Sequence, residues 1–219
     1  MNSKANISAR YKALLQANEL ALTRSTCEAV FQGMCRALKK IVLYHRAGLT
    51  VYDPNHDSLT IAALYGAYEN STFRVGDLLD RNASQNGWTF EHQSRTIRRN
   101  LPRDARFPPE QQTAKEGFRS LCSVPLIVRG NSIGVMTVVG AHKNQFSTRH
   151  AELLQQMSNP LALAITSMIP HCTVHANTIL VCPRCIGAAG GKATVSKHQA
   201  DLSAWGKKGG RGRRKLNLS

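Results

Sequence analysis

Acidic side chains are scarce in this chain. Its 219 residues carry 13 Asp and Glu against 29 Lys and Arg, a formal charge of +16. The acids are scattered, and no pair has the spacing that general acid–base chemistry on two carboxylates requires. We therefore expect a binding or sensing protein that is not an enzyme. Long hydrophobic runs are also missing. The longest, residues 161–165, is far short of the roughly 20 apolar residues that span a membrane. Residues 1–10 are polar and lack the apolar core of a signal peptide, so the expected location is the cytoplasm, without membrane contact. No glycine-rich phosphate loop with its Lys and Ser/Thr occurs, and no kinase or cyclase segment.

What is present is an ordinary globular composition, 42% hydrophobic and 19% charged, in a length suited to one domain and an appendage. The excess charge is uneven. Residues 170–219 hold nine bases and one acid, and the last 15 residues hold six bases and no acid. Such a concentration predicts attraction to polyanions.

Periodicity gives the elements. Residues 25–42 place Cys27, Val30, Phe31, Met34, Leu38, Ile41 and Val42 at three- and four-residue steps, an amphipathic helix with Thr23 or Ser25 as its cap. Residues 9–22 are helix-prone with a less continuous apolar face. From Ala47 the period changes to two, through Leu49 and Val51 to Leu59, Ile61 and Ala63 around Asp53-Pro54-Asn55-His56-Asp57, a β-hairpin. Residues 70–86 read as loop, 87–93 as a short helix, 96–99 as a short strand, and the proline-rich 101–112 as irregular. Residues 118–128 and 132–139 are strands joined by a tight turn at Arg129-Gly130-Asn131. A last helix covers 147–168, capped by Ser147 and kinked at Pro160. Antiparallel strands with helices grouped around them predict an α+β domain.

The wording of these elements resembles the GAF family of sensory domains. The matching phrases are Leu49-Thr50-Val51-Tyr52-Asp53-Pro54, Gly87-Trp88-Thr89-Phe90-Glu91-His92 and Asp104-Ala105-Arg106-Phe107. Then follow Phe118-Arg119-Ser120-Leu121-Cys122-Ser123-Val124-Pro125-Leu126, Ile133-Gly134-Val135-Met136, and Phe146-Ser147. The nearest flavour is that of GAF domains ahead of sigma-54-dependent activators of the formate hydrogenlyase activator type. The resemblance implies a sensory domain over residues 24–169, between a helical extension (1–23) and a basic tail (170–219). It implies a central antiparallel sheet with two long terminal helices on one face and a small-ligand pocket on the other. It also implies a homodimer formed through the long helices, with a role in signal transduction or transcriptional regulation. The Asn-Lys-Phe-Asp-Glu signature of cyclic-nucleotide-binding members is absent, as is the Cys-His pairing of bilin-binding members. The ligand stays unidentified.

Between the hairpins, Trp88, Phe90 and Phe107 offer stacking surface, Arg98, Arg103 and Arg119 offer charge for an anionic ligand, and Tyr65 joins them from the second strand. The plain alternative makes the aromatics core and the arginines solvated strand ends. Cys122 sits on a predicted central strand, where packing outweighs a role as nucleophile. A reductase of the methionine sulfoxide kind, which shares this fold, needs paired cysteines around the pocket. Only Cys122 lies in the pocket-forming half, so that reading ranks last.

In the tail, Cys182-Pro183-Arg184-Cys185 resembles one knuckle of a zinc ribbon; His171, Cys172, His175 and His198 are near enough in sequence to complete a four-ligand structural zinc site, with Cys172 and His175 taken as the candidate ligands. A redox pair and plain reduced thiols are the alternatives. The end of the chain sets Lys207, Lys208, Arg211, Arg213, Arg214 and Lys215 among glycines and resembles an AT-hook, which implies DNA or RNA as a partner. Its alternative is a solvated basic tail with generic phosphate affinity. A ligand-free dimerisation scaffold carrying such a tail is the second reading of the whole.

Overall fold

The computed structural model of the protein describes residues 2–168 apart from 24–25, 55 and 70. Six helices and six strands follow one another along these residues. α1 (Asn2–Thr23) and α2 (Cys27–Lys39) come first, then β1 (Arg46–Asp53), β2 (Ser58–Gly66) and β3 (Leu78–Asp80). α3 (Gln85–His92), β4 (Thr96–Arg98), α4 (Leu101–Asp104) and α5 (Pro108–Lys115) form the middle. β5 (Ser120–Val128), β6 (Asn131–Gly140) and α6 (Thr148–Met168) complete it. The strands make one antiparallel sheet in the order β3-β2-β1-β6-β5-β4, the expected α+β architecture.

One face of the sheet carries α1, α2 and α6 over the main core. α2 starts at Thr26, whose hydroxyl accepts the Ala29 N–H at 3.2 Å, so the cap is neither Thr23 nor Ser25. Its buried stripe, with Val30, Phe31, Met34 and Leu38, belongs to the same core as Ala47 and Leu49 of β1 and Met136 and Val138 of β6. α6 opens on reciprocal contacts of 3.4 Å between Ser147 and His150, and it continues through Pro160 to Met168. Among the described residues α1 buries Ala13 and Ala17 in the core, one turn apart, with Leu14 and Ala21 partly buried beside them, a small apolar face that explains its weak pattern in the sequence.

The strands alternate as their period dictates, with one exception. A bulge between Leu49 and Thr50 sets Ala63 against Leu49 and Ile61 against Thr50, so Ala62 is the extra residue of β2. Ile61 and Leu64, three apart, therefore both leave the helix face. The β5–β6 connection is the tight turn expected: Arg129 and Gly130 have φ of 50° and 80°, the positive pair of a two-residue hairpin.

Residues 101–112 are not irregular. Their prolines sit in the first turns of α4 and α5, where the missing N–H costs nothing and the fixed φ favours helix. The α5 start is closed by Glu110, whose carboxylate accepts the N–H groups of Arg106 and Phe107 at 2.7 and 3.1 Å. Residues 70–86 likewise hold an element, the short edge strand β3, paired to the start of β2.

Candidate ligand cavity

The sheet face opposite the long helices is roofed by α3 and α5, and a cavity of about 80 Å³ lies between roof and sheet. That is several times the roughly 10–15 Å³ one water requires. Period two builds its floor. Arg46, Gly48 and Thr50 of β1 share the face turned away from Ala47 and Leu49, and Thr137 and Val139 of β6 do the same beside them. The bulge adds both Ile61 and Leu64. Ser84, Gln85 and Asn86 come from the start of α3, and Pro109, Glu110 and Thr113 from α5.

The start of α3 is fixed by two features. Ser84 caps it, accepting the Gly87 N–H at 3.0 Å. Gly87 lies against the chain at Arg81, where a Cβ would meet the Arg81 carbonyl oxygen at 1.9 Å, so only glycine lets α3 come this close. Asn86 then reaches the floor: Thr137 donates to its Oδ1 at 3.0 Å, and its Nδ2 donates to Thr50 Oγ1 at 3.3 Å.

Arg46 is the charged centre of the wall. It is 5% exposed, and its guanidinium lies 4.8 Å from the Tyr68 ring centroid and 4.2 Å from that of Phe118. Its NH1 donates to Ser71 Oγ at 3.1 Å and pairs with Glu116 Oε2. Glu116 also accepts the Thr72 N–H at 3.0 Å, which ties the loop after β2 to the end of α5. Burial pushes the Glu116 carboxyl up. The Thr72 N–H and the hydrogen bond and charge of Arg46 outweigh it and hold the carboxyl below its ordinary value. A second pair stands behind Gln85: Arg98 Nε donates to Glu110 Oε1 at 2.7 Å and Arg98 NH2 to Gln85 Oε1 at 2.6 Å.

None of the seven residues singled out from the sequence lines this cavity. Arg98 comes nearest, bonded to two residues that do. Arg103 and Arg119 are brought together elsewhere, with Lys115 and Lys143, along an open groove. Trp88 stacks on His92 with ring centroids 4.3 Å apart. Phe90 packs with Leu59 and Val135 in a small cluster, and Phe107 supplies the N-cap of α5. Tyr65 faces the long helices, 6.4 Å from Tyr44 with Lys39 over its ring. Sequence reasoning missed Arg46, although the small and polar series Arg46, Gly48, Thr50 on one strand face was a signal that this face is not plain solvent.

Cys35 and Cys122 belong to the helix-side core, away from the cavity, and burial pushes both thiols up to about 12. Among the described residues no group of three His, Cys, Asp or Glu side chains is arranged to hold a metal. Cys172, His175, Cys182, Cys185 and the basic residues from Lys207 to Lys215 lie outside the described residues. No described helix is long and apolar enough to cross a membrane.

No curated protein matches the sequence. Solved structures do match the fold. A free methionine-R-sulfoxide reductase from Neisseria meningitidis, in complex with its substrate, is similar over 73% of this chain and 89% of its own, with a TM-score of 0.62 at 17% identity. The GAF domain of a phosphoenolpyruvate-protein phosphotransferase from Coxiella burnetii covers 73% of this chain and 94% of its own, TM-score 0.64, 16% identity. The GAF domain of a two-component sensor histidine kinase from Bacillus halodurans covers 66% and 96%, TM-score 0.58, 17% identity. The reductase corrects the expectation drawn from scarce acids: this architecture carries an enzyme as well as sensors, so carboxylate counting does not decide the question. GAF domains bind small-molecule ligands and are typical of sensing and signalling proteins. The sequence model of the GAF domain matches residues 25–166, and with two thirds of its length so accounted for, this chain belongs to the GAF domain family.

Proposed function

We propose that the domain is a sensor whose input is a small molecule held between the sheet and the α3–α5 roof. The observation that carries this is the cavity itself, with a buried arginine in its wall and side chains from seven helices and strands converging on it. Native mass spectrometry of freshly purified chain tests it. The expected result is a small-molecule mass excess that disappears in Leu64→Trp, which fills the cavity. An excess that survives this substitution puts the ligand elsewhere.

We read the output as regulatory, in the manner of the sigma-54 activator GAF domains that the sequence phrases resemble, and the setting as cytoplasmic. The basic tail serves as the contact to nucleic acid, supported by its nine bases against one acid, and its Cys182/Cys185 knuckle, with Cys172 and His175, holds zinc. Elemental analysis of protein prepared without chelators tests the metal: about one zinc per chain, lost in Cys182→Ser. A dimer through the long helices is favoured by Tyr11 and Leu15 on α1 and Leu163 on α6, which are 64%, 50% and 62% exposed. Sedimentation at tens of micromolar, an order-of-magnitude choice from ordinary interface affinities, should show a dimer, and a monomer there argues against it.

A further inference from the structure

The polar groups of the cavity wall restrict the chemistry of whatever enters. Both charged wall residues are already compensated: Arg46 pairs with Glu116, and Glu110 with Arg98. The neutral groups are largely spent as well. Asn86 bonds Thr50 and Thr137, and Gln85 bonds Thr89 and Arg98. One atom stands apart. Arg46 Nε is buried with no hydrogen-bond partner, and among the described residues it is the only such atom on a cavity-lining residue. The guanidinium is kept from water by the Tyr68 and Phe118 rings packed against it and by Ser71 and Glu116 at its end. A buried N–H left without an acceptor is costly, so an acceptor delivered by a ligand is favoured.

Resting on the sensor reading above, we propose that the ligand is a small uncharged molecule, mostly apolar, with one carbonyl, ether or ring-nitrogen acceptor that takes the Arg46 Nε–H. Ile61, Leu64, Phe73 and Leu79 receive its apolar body. A carboxylate or phosphate would enter beside Glu110 and Glu116 with both local cations already neutralised, and an ammonium would find no unpaired anion. This differs from the anionic ligand that the arginine content suggests.

The test is an amide-resolved NMR titration of the full chain with three probes of matched size: cyclopentanone, cyclopropanecarboxylate and cyclopentylammonium. Cyclopentanone should move the amides of Gly48, Thr50 and Thr137 and the Arg46 Nε–H resonance, with the two ions at least about tenfold weaker. Arg46→Lys places a methylene where Nε stood and keeps a cation for Glu116, so it should weaken cyclopentanone roughly tenfold. Should that variant fail to fold, the Nε–H resonance of the wild type reports on the same bond. Tighter binding of the carboxylate at the same amides overturns the neutral class and leaves the sensor site standing. An unmoved Nε–H resonance on ketone binding overturns the role of Arg46. Silence of the cavity amides to all three probes overturns both.

Discussion

Replacing Glu116 by Gln tests how the wall of the cavity is held. The change keeps the shape of the side chain and removes its charge. Arg46 then remains 5% exposed, packed against the Tyr68 and Phe118 rings, without a counter-ion. Breaking a buried ion pair by removing one partner costs about 3–5 kcal/mol, because the surviving charge stays desolvated. The amide also returns weaker bonds to Ser71 and Thr72, so the loop after β2 loosens with it. We expect urea unfolding followed by far-UV circular dichroism to give a loss of about 3 kcal/mol, equivalent to roughly 10 °C in the melting temperature of a domain this size. Acid should act through the same carboxyl. Its folded value is depressed, so its contribution is present above the unfolded value of about 4.3 and is lost as pH falls through the folded one. The wild type should therefore lose more stability than Glu116→Gln below about pH 4. The double variant Arg46→Met with Glu116→Leu, which removes both charges, should recover most of the single loss. A cost below about 1 kcal/mol for Glu116→Gln would refute the reasoning and mean that water reaches Arg46 after all.

Three further outcomes are expected. Cys35 and Cys122, with thiols raised to about 12 by burial, should resist iodoacetamide at pH 8 in the folded protein and react once urea unfolds it, as peptide mass mapping will show; rapid native labelling contradicts their burial. Gly48→Ala should fold at least as stably as the wild type, because its Cβ meets Tyr68 Oη at an ordinary 3.5 Å, yet it shrinks the cavity, so ligand affinity should drop while the melting temperature holds. Truncation after Trp205 removes six bases and should abolish DNA binding, whose log–log salt slope in the full chain should be roughly −5; undiminished binding by the truncated protein would place the contact elsewhere.

The α2 helix and the β1–β2 hairpin were legible because each turns one continuous apolar series into the main core, which imposes one clean period. Residues 78–80 and 101–115 were not, since a three-residue edge strand and two short helices hold too few apolar residues to show a repeat. The prolines of 101–109 read as breakers, yet position within the first turn turns them into starters. The cavity was the least legible part. Arg46 looks like a solvated strand end, and its partner Glu116 stands 70 residues away, a distance no local pattern spans. The bulge at Ala62 breaks the alternation by which Ile61 and Leu64 would have been assigned to opposite faces.

Both outer strands of the sheet are only three residues long. Past the end of β4, the exposed side of β5 continues with Pro125, which has no N–H to offer, and its carbonyl is occupied by Gln155 and Ser158 of α6 at 3.0 and 3.2 Å. Past β3, Ile61 has both backbone groups engaged, by Asp77 and Gly76. At Pro125 and Ile61 a foreign strand therefore finds no free backbone group to template on, which should slow β-type polymerisation of concentrated protein. Contacts between such domains fall to side chains on the helices, where a few substitutions can create or abolish them without touching the sheet.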